Sequence, residues 1–472
     1  MRTAFYLRRS WSPHGKSLRP WCGPLLLATF LLASPLARGR EDDTPTPAGP
    51  VVINGLSQGT PDLSPDGRHV LIAETKTTLR VYDAATGKPV GKAVEAGGRG
   101  RGGPDSFFSA DGKKLFLPTA RSGRVWDPFA DKTEEVQGPP GADKLAWEGN
   151  RLNRVVYLRD KPAGTAQAFD PFTGKVIGRP FPWRSPHPIV DCPLSPDRGT
   201  LLLLQVGQRS AVLWDLEAGK QRGATLTTPA GGTVGSARFH FSPTGKEVLA
   251  VAVHANTKQA QLRQTWLLTY DTATGRRLRG PLACGNPQVF DPVFSPDGRL
   301  LAAQLRPEPR VRETNSSASV QLWDLATLKP LRRLQLPEGA GPFGYAGHLR
   351  TMAFSPDGKL LAVRLGPAYR RSGLGVPARP GASGEPYLVQ LFDVSTGTPA
   401  GKPVSFPHPI SQIVFAADGK TFLTVTDPEV MRGLPGVDYK GQARLWKVPE
   451  RSSGKSDTGP GKGSTDPLRK DR

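Results

Sequence analysis

Two short patterns alternate along most of the chain, and their recurrence constrains the fold more than any other feature. The first is an aromatic residue or leucine followed by Ser-Pro-Asp-Gly or a close variant. It appears as Leu63-Ser64-Pro65-Asp66-Gly67, Phe108-Ser109-Ala110-Asp111-Gly112, Leu194-Ser195-Pro196-Asp197 and Phe241-Ser242-Pro243-Thr244-Gly245. It recurs as Phe294-Ser295-Pro296-Asp297-Gly298, Phe354-Ser355-Pro356-Asp357-Gly358 and Phe415-Ala416-Ala417-Asp418-Gly419, with a degenerate copy at Trp147-Glu148-Gly149-Asn150. The second pattern closes an apolar stretch with an aromatic residue and Asp. It reads Val81-Tyr82-Asp83, Val125-Trp126-Asp127, Ala168-Phe169-Asp170, Leu213-Trp214-Asp215, Thr269-Tyr270-Asp271, Leu322-Trp323-Asp324, Leu391-Phe392-Asp393 and Leu445-Trp446-Lys447. Each pattern occurs eight times, with copies about 40 to 60 residues apart.

Each half of the repeat has a direct structural meaning. Proline presets φ, aspartate bonds its own backbone and glycine accepts positive φ, so Ser-Pro-Asp-Gly closes a hairpin. A continuous apolar run follows, as in Leu300-Leu301-Ala302-Ala303 or Leu360-Leu361-Ala362-Val363, which suits a strand buried on both faces. The Leu-Trp-Asp strand and an Asp-x-x-Thr-Gly turn come next, then a weaker fourth strand. Four strands per unit, repeated radially, make an all-β propeller of four-stranded antiparallel blades. Eight blades, at about 50 residues each, account for both patterns, and seven is the alternative if the degenerate third copy is an insertion. The last repeat ends without a fourth strand, and a spare one stands at Pro50-Val51-Val52-Ile53-Asn54. Pairing the two closes the ring and removes both edges. On this reading Asp66, Asp111, Asp197, Asp297, Asp357 and Asp418 form turns, and Trp126, Trp214, Trp323 and Trp446 are blade aromatics.

The sequence Phe-Ser-Pro-Asp-Gly-Lys-x-Leu-Ala, followed by Leu-Trp-Asp-x-x-Thr-Gly-Lys, resembles the WD40 repeat in its bacterial, exported form, over roughly residues 51–450. The resemblance implies a ring of blades serving as a rigid, non-catalytic platform for protein partners. The family's Gly-His pair is clear only at Gly347-His348, where His348 would join a buried hydrogen-bond network. His187 and His408, each within Pro-His-Pro, stand at nearly the same offset. That network is therefore expected to be incomplete in most blades, with the third blade the loosest.

The flanks read differently. Residues 1–39 hold six basic and no acidic residues, then the run Leu25-Leu26-Leu27-Ala28-Thr29-Phe30-Leu31-Leu32-Ala33 and the small-residue stretch Ala37-Arg38-Gly39. The apolar run is too short for the roughly 20 residues a spanning helix needs, so the segment reads as a signal peptide, with an N-terminal anchor as the alternative. Residues 40–50 read as a linker and 451–472 as a disordered basic and polar tail. The chain has 63 Lys+Arg against 41 Asp+Glu, and removing residues 1–39 leaves 57 against 41, about +16. An exported protein of this charge is drawn to anionic surfaces rather than the genome. The expected partners are therefore proteins, with an anionic envelope component second and no nucleic acid. The localisation is periplasmic or cell-envelope and the state monomeric.

Catalytic patterns fail on context. Gly55-Leu56-Ser57-Gln58-Gly59 matches a nucleophile elbow by letter but lacks the following helix, and Gly98-Arg99-Gly100-Arg101-Gly102-Gly103 opens no helix for a dinucleotide. The seven histidines and three cysteines show no metal-ligand spacing, and Cys192 and Cys284 fall in non-adjacent blades. No cofactor or metal is expected; the alternative is an enzyme or small-ligand site in the central funnel. Loop length is the informative asymmetry. Connections between second and third strands are short in the first four repeats and long in the last four, as in Arg306 to Ala318, Arg364 to Pro386 and Asp427 to Gly441. They carry Arg306, Arg310, Arg312, Tyr369, Arg370, Arg371, Arg379 and Arg432, with Tyr387 and Tyr439 near their ends. Arg and Tyr on loops of a rigid scaffold are favoured contact residues, so this crest is the candidate binding surface.

Overall fold

The structure, a computed structural model, describes residues 47–449 apart from 57–61, 76, 85, 96–105, 119–121, 151–154, 161–162, 184–192, 205–209, 230–232, 256–262, 285–287, 307–318, 337–339, 343–351, 368–385, 408–409 and 427–440. Outside the described residues lie the signal or anchor segment 1–39, linker residues 40–46 and the tail 451–472, together with residues 57–59, 98–103, His187, His348, His408 and Cys192. The rest is eight antiparallel sheets in chain order, with one short 3-10 turn at Ala142–Lys144 and no α-helix among the described residues.

Blade 1 sets the pattern: inner strand Asp62–Leu63, second strand His69–Ala73, third strand Thr78–Asp83 and outer strand Pro89–Glu95. The degenerate third copy builds a complete blade, Ala146–Asn150, Val155–Asp160, Thr165–Asp170 and Lys175–Pro182, so the count is eight. Its register corrects the sequence alignment by two residues. Gly149, not Trp147, pairs with Val156 as Leu63 pairs with Val70. Among the described residues, the inner edge of blade 4 is one bridge between Leu194 and Leu201. Blade 7 gains a strand, Ala340–Pro342, which pairs with Leu360–Pro367 beside Met352–Phe354.

Closure follows the expected route with different bounds. Strand Pro47–Leu56 lies antiparallel to Gly441–Lys447 and supplies the fourth strand of blade 8, next to Thr421–Thr426 and Ile410–Phe415. It starts at Pro47, before the expected Pro50, because an irregularity between Pro47 and Val52 lets the chain rejoin the ladder at Trp446. The last residues of the expected linker therefore belong to the sheet.

The core is divided among the seams. Eight apolar clusters occur among the described residues, each spanning two neighbouring blades, and the series returns from blade 8 to blade 1. Strand alternation explains this. In Val155, Val156, Tyr157 and Leu158 all four side chains are buried. Val155 and Tyr157 pack toward blade 4, while Val156 and Leu158 pack toward blade 2. The uninterrupted apolar runs are thus strands with a partner on each face.

The hairpin turns interlock as well. Gly67, at φ 72°, lies so close to blade 8 that a β-carbon there would sit 2.3 Å from the Ala416 β-carbon. Glycine is required both by the backbone angle and by the contact. Blade 3 has no described turn at this place, and blade 4 carries Arg198 where the repeat has glycine, at φ 59°. Its guanidinium reaches back to the Asp170 carboxylate of blade 3 at 3.0 Å, so an ion pair spans the seam.

Candidate functional site

Two edges of the ring carry connections, and the repeat residues define the first. In each Ser-Pro-Asp-Gly turn the aspartate accepts two hydrogen bonds inside its own turn. Ser64, Ser109, Ser295 and Ser355 donate to Asp66, Asp111, Asp297 and Asp357 over 2.5–2.6 Å, and Ser195 donates to Asp197. The backbone amide two residues on donates as well, at 3.1 Å for Lys113 and 3.0 Å for Arg299. Asp418 keeps only the amide bond among these, from Lys420 at 2.9 Å, because Ala416 replaces the serine. The serine hydroxyl is the main reason that Asp111, Asp197 and Asp297 have carboxyls below the ordinary value of 3.8. For Asp66 burial works upward, and the Ser64 and Arg68 hydrogen bonds with nearby positive charge outweigh it. Asp215 and Asp324 are lowered in the same sense by bonds in the second turn of their repeats. These carboxylates are ionised, occupied and near-equivalent, which is the environment of a turn-former and not of a general acid.

The opposite edge carries the crest. The second strands of blades 5 to 8 end at Ala255, Arg306, Pro367 and Thr426, and the third strands begin at Arg263, Ser319, Tyr387 and Gly441. Pairings such as Leu305 with Ser319 and Thr426 with Gln442 bring both roots of each connection to the same end of the sheet. Arg306 is the last residue of its strand, in register with Gln288. Arg310, Arg312, Tyr369, Arg370, Arg371, Arg379, Arg432 and Tyr439 lie outside the described residues.

Two root residues differ from expectation. Tyr387 is a core residue: it begins a strand opposite Phe406 and is buried among Ile410, Phe415 and Trp446 at the seam of blades 7 and 8. Its nearness to a loop suggested the crest, but alternation along the strand turns its ring inward. Arg364 is inside the second strand of blade 7, 1% exposed, and its Nη1 donates to the Ile410 carbonyl of blade 8. A buried guanidinium is retained only with acceptors around it, so Arg364 ties two crest blades together at their root. No motif marks it; the signal was a lone arginine in an otherwise apolar strand.

Among the described residues no group of three or more His, Cys, Asp or Glu side chains is close enough to hold a metal ion. Cys284 is unbridged, and burial pushes its thiol up to about 12, far from thiolate chemistry at neutral pH. No helix among the described residues is long and apolar enough to cross a membrane.

No protein-family profile matches the chain. A guanine nucleotide-binding protein subunit beta from Nicotiana plumbaginifolia is 26% identical over 179 residues, covering 37% of this chain and 41% of that protein. The match thus spans less than half of that relative. Among solved structures, dihydro-heme d1 dehydrogenase NirN in complex with DHE overlaps 77% of this chain and 69% of its own, with TM-score 0.46 and 15% identity. A eukaryotic initiation factor overlaps 83% and 86%, with TM-score 0.47 and 12% identity.

Proposed function

We propose that this chain, a WD40-like propeller, is a protein-interaction platform that is exported and works in the cell envelope as a monomer. The observation that carries the reading is the crest. Blades 5 to 8 present the roots of four connections on one edge of a ring whose seams each have their own apolar core. A scaffold built this way fixes the spacing of the loop roots before a partner arrives. The arginines and tyrosines of those connections supply the residue types that anchor protein interfaces. Export is supported by the basic, apolar, small-residue succession of residues 1–39. An anionic envelope component is a second class of partner, supported by the excess of basic residues.

The test is a crosslinking capture from native envelope extract with residues 40–472 as bait. A matched bait has 307–318 and 368–385 replaced by Gly-Ser links. A protein taken by the first bait and released by the second supports the crest. Equal capture by both retires it, and capture of no protein transfers the weight to a small-ligand or enzymatic site in the funnel. Fractionation of the tagged full chain tests export separately, and cytosolic recovery of the intact chain would refute it.

A further inference from the structure

The seam of blades 6 and 7 holds a groove on the turn edge. At three seams, through Gly91, Gly178 and Gly223, a glycine in the outer strand of one blade lies against the second turn of the next. A β-carbon at Gly178 would sit 2.3 Å from the Leu216 carbonyl oxygen, and one at Gly223 would sit 2.1 Å from that of Thr274. Blade 6 has no glycine in the equivalent stretch, Pro330-Leu331-Arg332-Arg333. There the Arg332 side chain packs on Gly397 of blade 7, and the strands are joined further on by Gln335 donating to the Gly397 carbonyl at 3.0 Å. A groove of about 450 Å³ lies at this seam beside Leu331 and Arg332.

The groove has an apolar floor and a basic margin. Leu300, Leu322 and Val394 line it, and Leu331 stands at its edge, 49% exposed. Arg332 and Lys359 flank it, with Lys329, Arg333 and Arg299 exposed on the same elements. The acid in the lining is Asp393, whose carboxylate already accepts from Ser395 and Thr396 within its own turn. Lys359 stands at the surface, 3.9 Å from Asp357. The groove's volume falls in the range of small binding pockets, and an apolar floor with a few charged groups at its margin is their usual lining.

We propose that this groove binds a short acidic peptide segment of a partner protein. The segment inserts one leucine- or phenylalanine-sized side chain between blades 6 and 7 and lays carboxylates against Arg332 and Lys359. The inference rests on the interaction-platform reading and adds to it a second surface, on the edge away from the crest, with a stated partner chemistry. Apolar burial supplies the anchor, and charge complementarity selects the flanking residues.

The experiment is a nonapeptide array probed with labelled residues 40–472. The central residue is Leu, Phe or Ser, flanked by Asp and Glu or by Lys. Binding is expected only to acidic peptides with a central Leu or Phe, falling at least tenfold for Lys359→Glu and for Leu331→Asp. A double change on blade 5, Arg276→Glu with Arg277→Glu, keeps binding within twofold. All of these residues are exposed, and unchanged melting temperatures confirm the fold of each variant. Three results overturn the proposal: no preference among the peptides, equal loss with the blade 5 variant, or displacement of bound peptide by anionic vesicles. The platform reading fails separately, when neither the intact bait nor the groove variants capture a protein from extract. A partner lost only with the shortened crest, with a blank array, keeps the platform and discards the groove.

Discussion

Trp446 and Trp214 hold the same place in their repeats, but their indole N–H groups fare differently. Trp446 donates to Thr424 at 2.8 Å, whereas the buried Trp214 Nε1 has no partner among the described residues. The equivalent of Thr424 in blade 4 is Leu203, by the registers of Trp446 with Phe422 and Trp214 with Leu201. One residue two places along the second strand therefore decides whether the donor is satisfied. Thr424→Val keeps the shape and deletes the acceptor, so chemical denaturation should show a loss of about 1–3 kcal/mol. An unchanged midpoint would show that the bond contributes nothing. His240, on the inner strand of blade 5, is neutral because burial pushes its pKa down from 6.5 to about 4, with the Arg238 charge acting in the same direction. A base whose folded pKa lies below its unfolded one stabilises the fold while neutral. That contribution is complete above about pH 6.5 and is lost as pH falls toward 4. The turn aspartates act lower, since depressed carboxyl pKa values give stability that is lost as pH falls below about 4. Stability measured against pH should therefore fall in two stages, and His240→Gln should flatten the first, from pH 6.5 to 4, and leave the second. A first stage that persists in the variant would assign it to another group.

Between elements, the seam of blades 3 and 4 shows how one lost turn is compensated. Arg198 adopts a left-handed backbone that glycine takes at no cost, and the ion pair to Asp170 crosses to the blade without a described turn. Both side chains are only partly exposed, at 35% and 16%. Asp170→Asn keeps the turn bond to the Phe172 amide and removes the pair, so it should cost up to about 1 kcal/mol. Arg198→Gly removes the pair and relaxes the backbone, so it should be the more stable of the two in a denaturant midpoint. The reverse order would mean that the ion pair outweighs the strain. None of this was legible in Pro196-Asp197-Arg198-Gly199 taken as a turn motif, because the compensating partner lies 28 residues earlier on another blade.

For the ring as a whole, closure converts a row of repeats into one cooperative body. An open array unfolds from its ends, each unit held only by its neighbours, whereas here the first and last blades share a core of Leu63, Val70, Leu423 and Val425. Strand Pro47–Leu56 is what completes blade 8 beside that core. A chain beginning at residue 58 leaves the edge of Gly441–Lys447 open to pairing with other chains. It should melt earlier, lose the single sharp transition and self-associate in light scattering. A synthetic peptide of residues 47–56 added in trans should reverse the association. Unchanged melting and a monodisperse truncated chain would show that the strand does not close the ring.

What the sequence determined by itself was what repeats clearly: the strand count per blade, the hairpin turns and a strand from the N-terminal side joining the last unit, while the choice of eight blades over seven fell to the structure of the third copy. Those signals are local, a short apolar run along a strand and a turn residue at a fixed offset, so each can be read without its neighbours. The tertiary structure decided what depends on the facing blade. It took Tyr387 from the crest into a seam, brought Arg364 to the Ile410 carbonyl, paired Arg198 with Asp170 and set a groove beside Leu331 and Arg332. Each of these is a contact between residues of different repeats, and a repeat sequence specifies its own hairpins far more directly than what will stand across the seam.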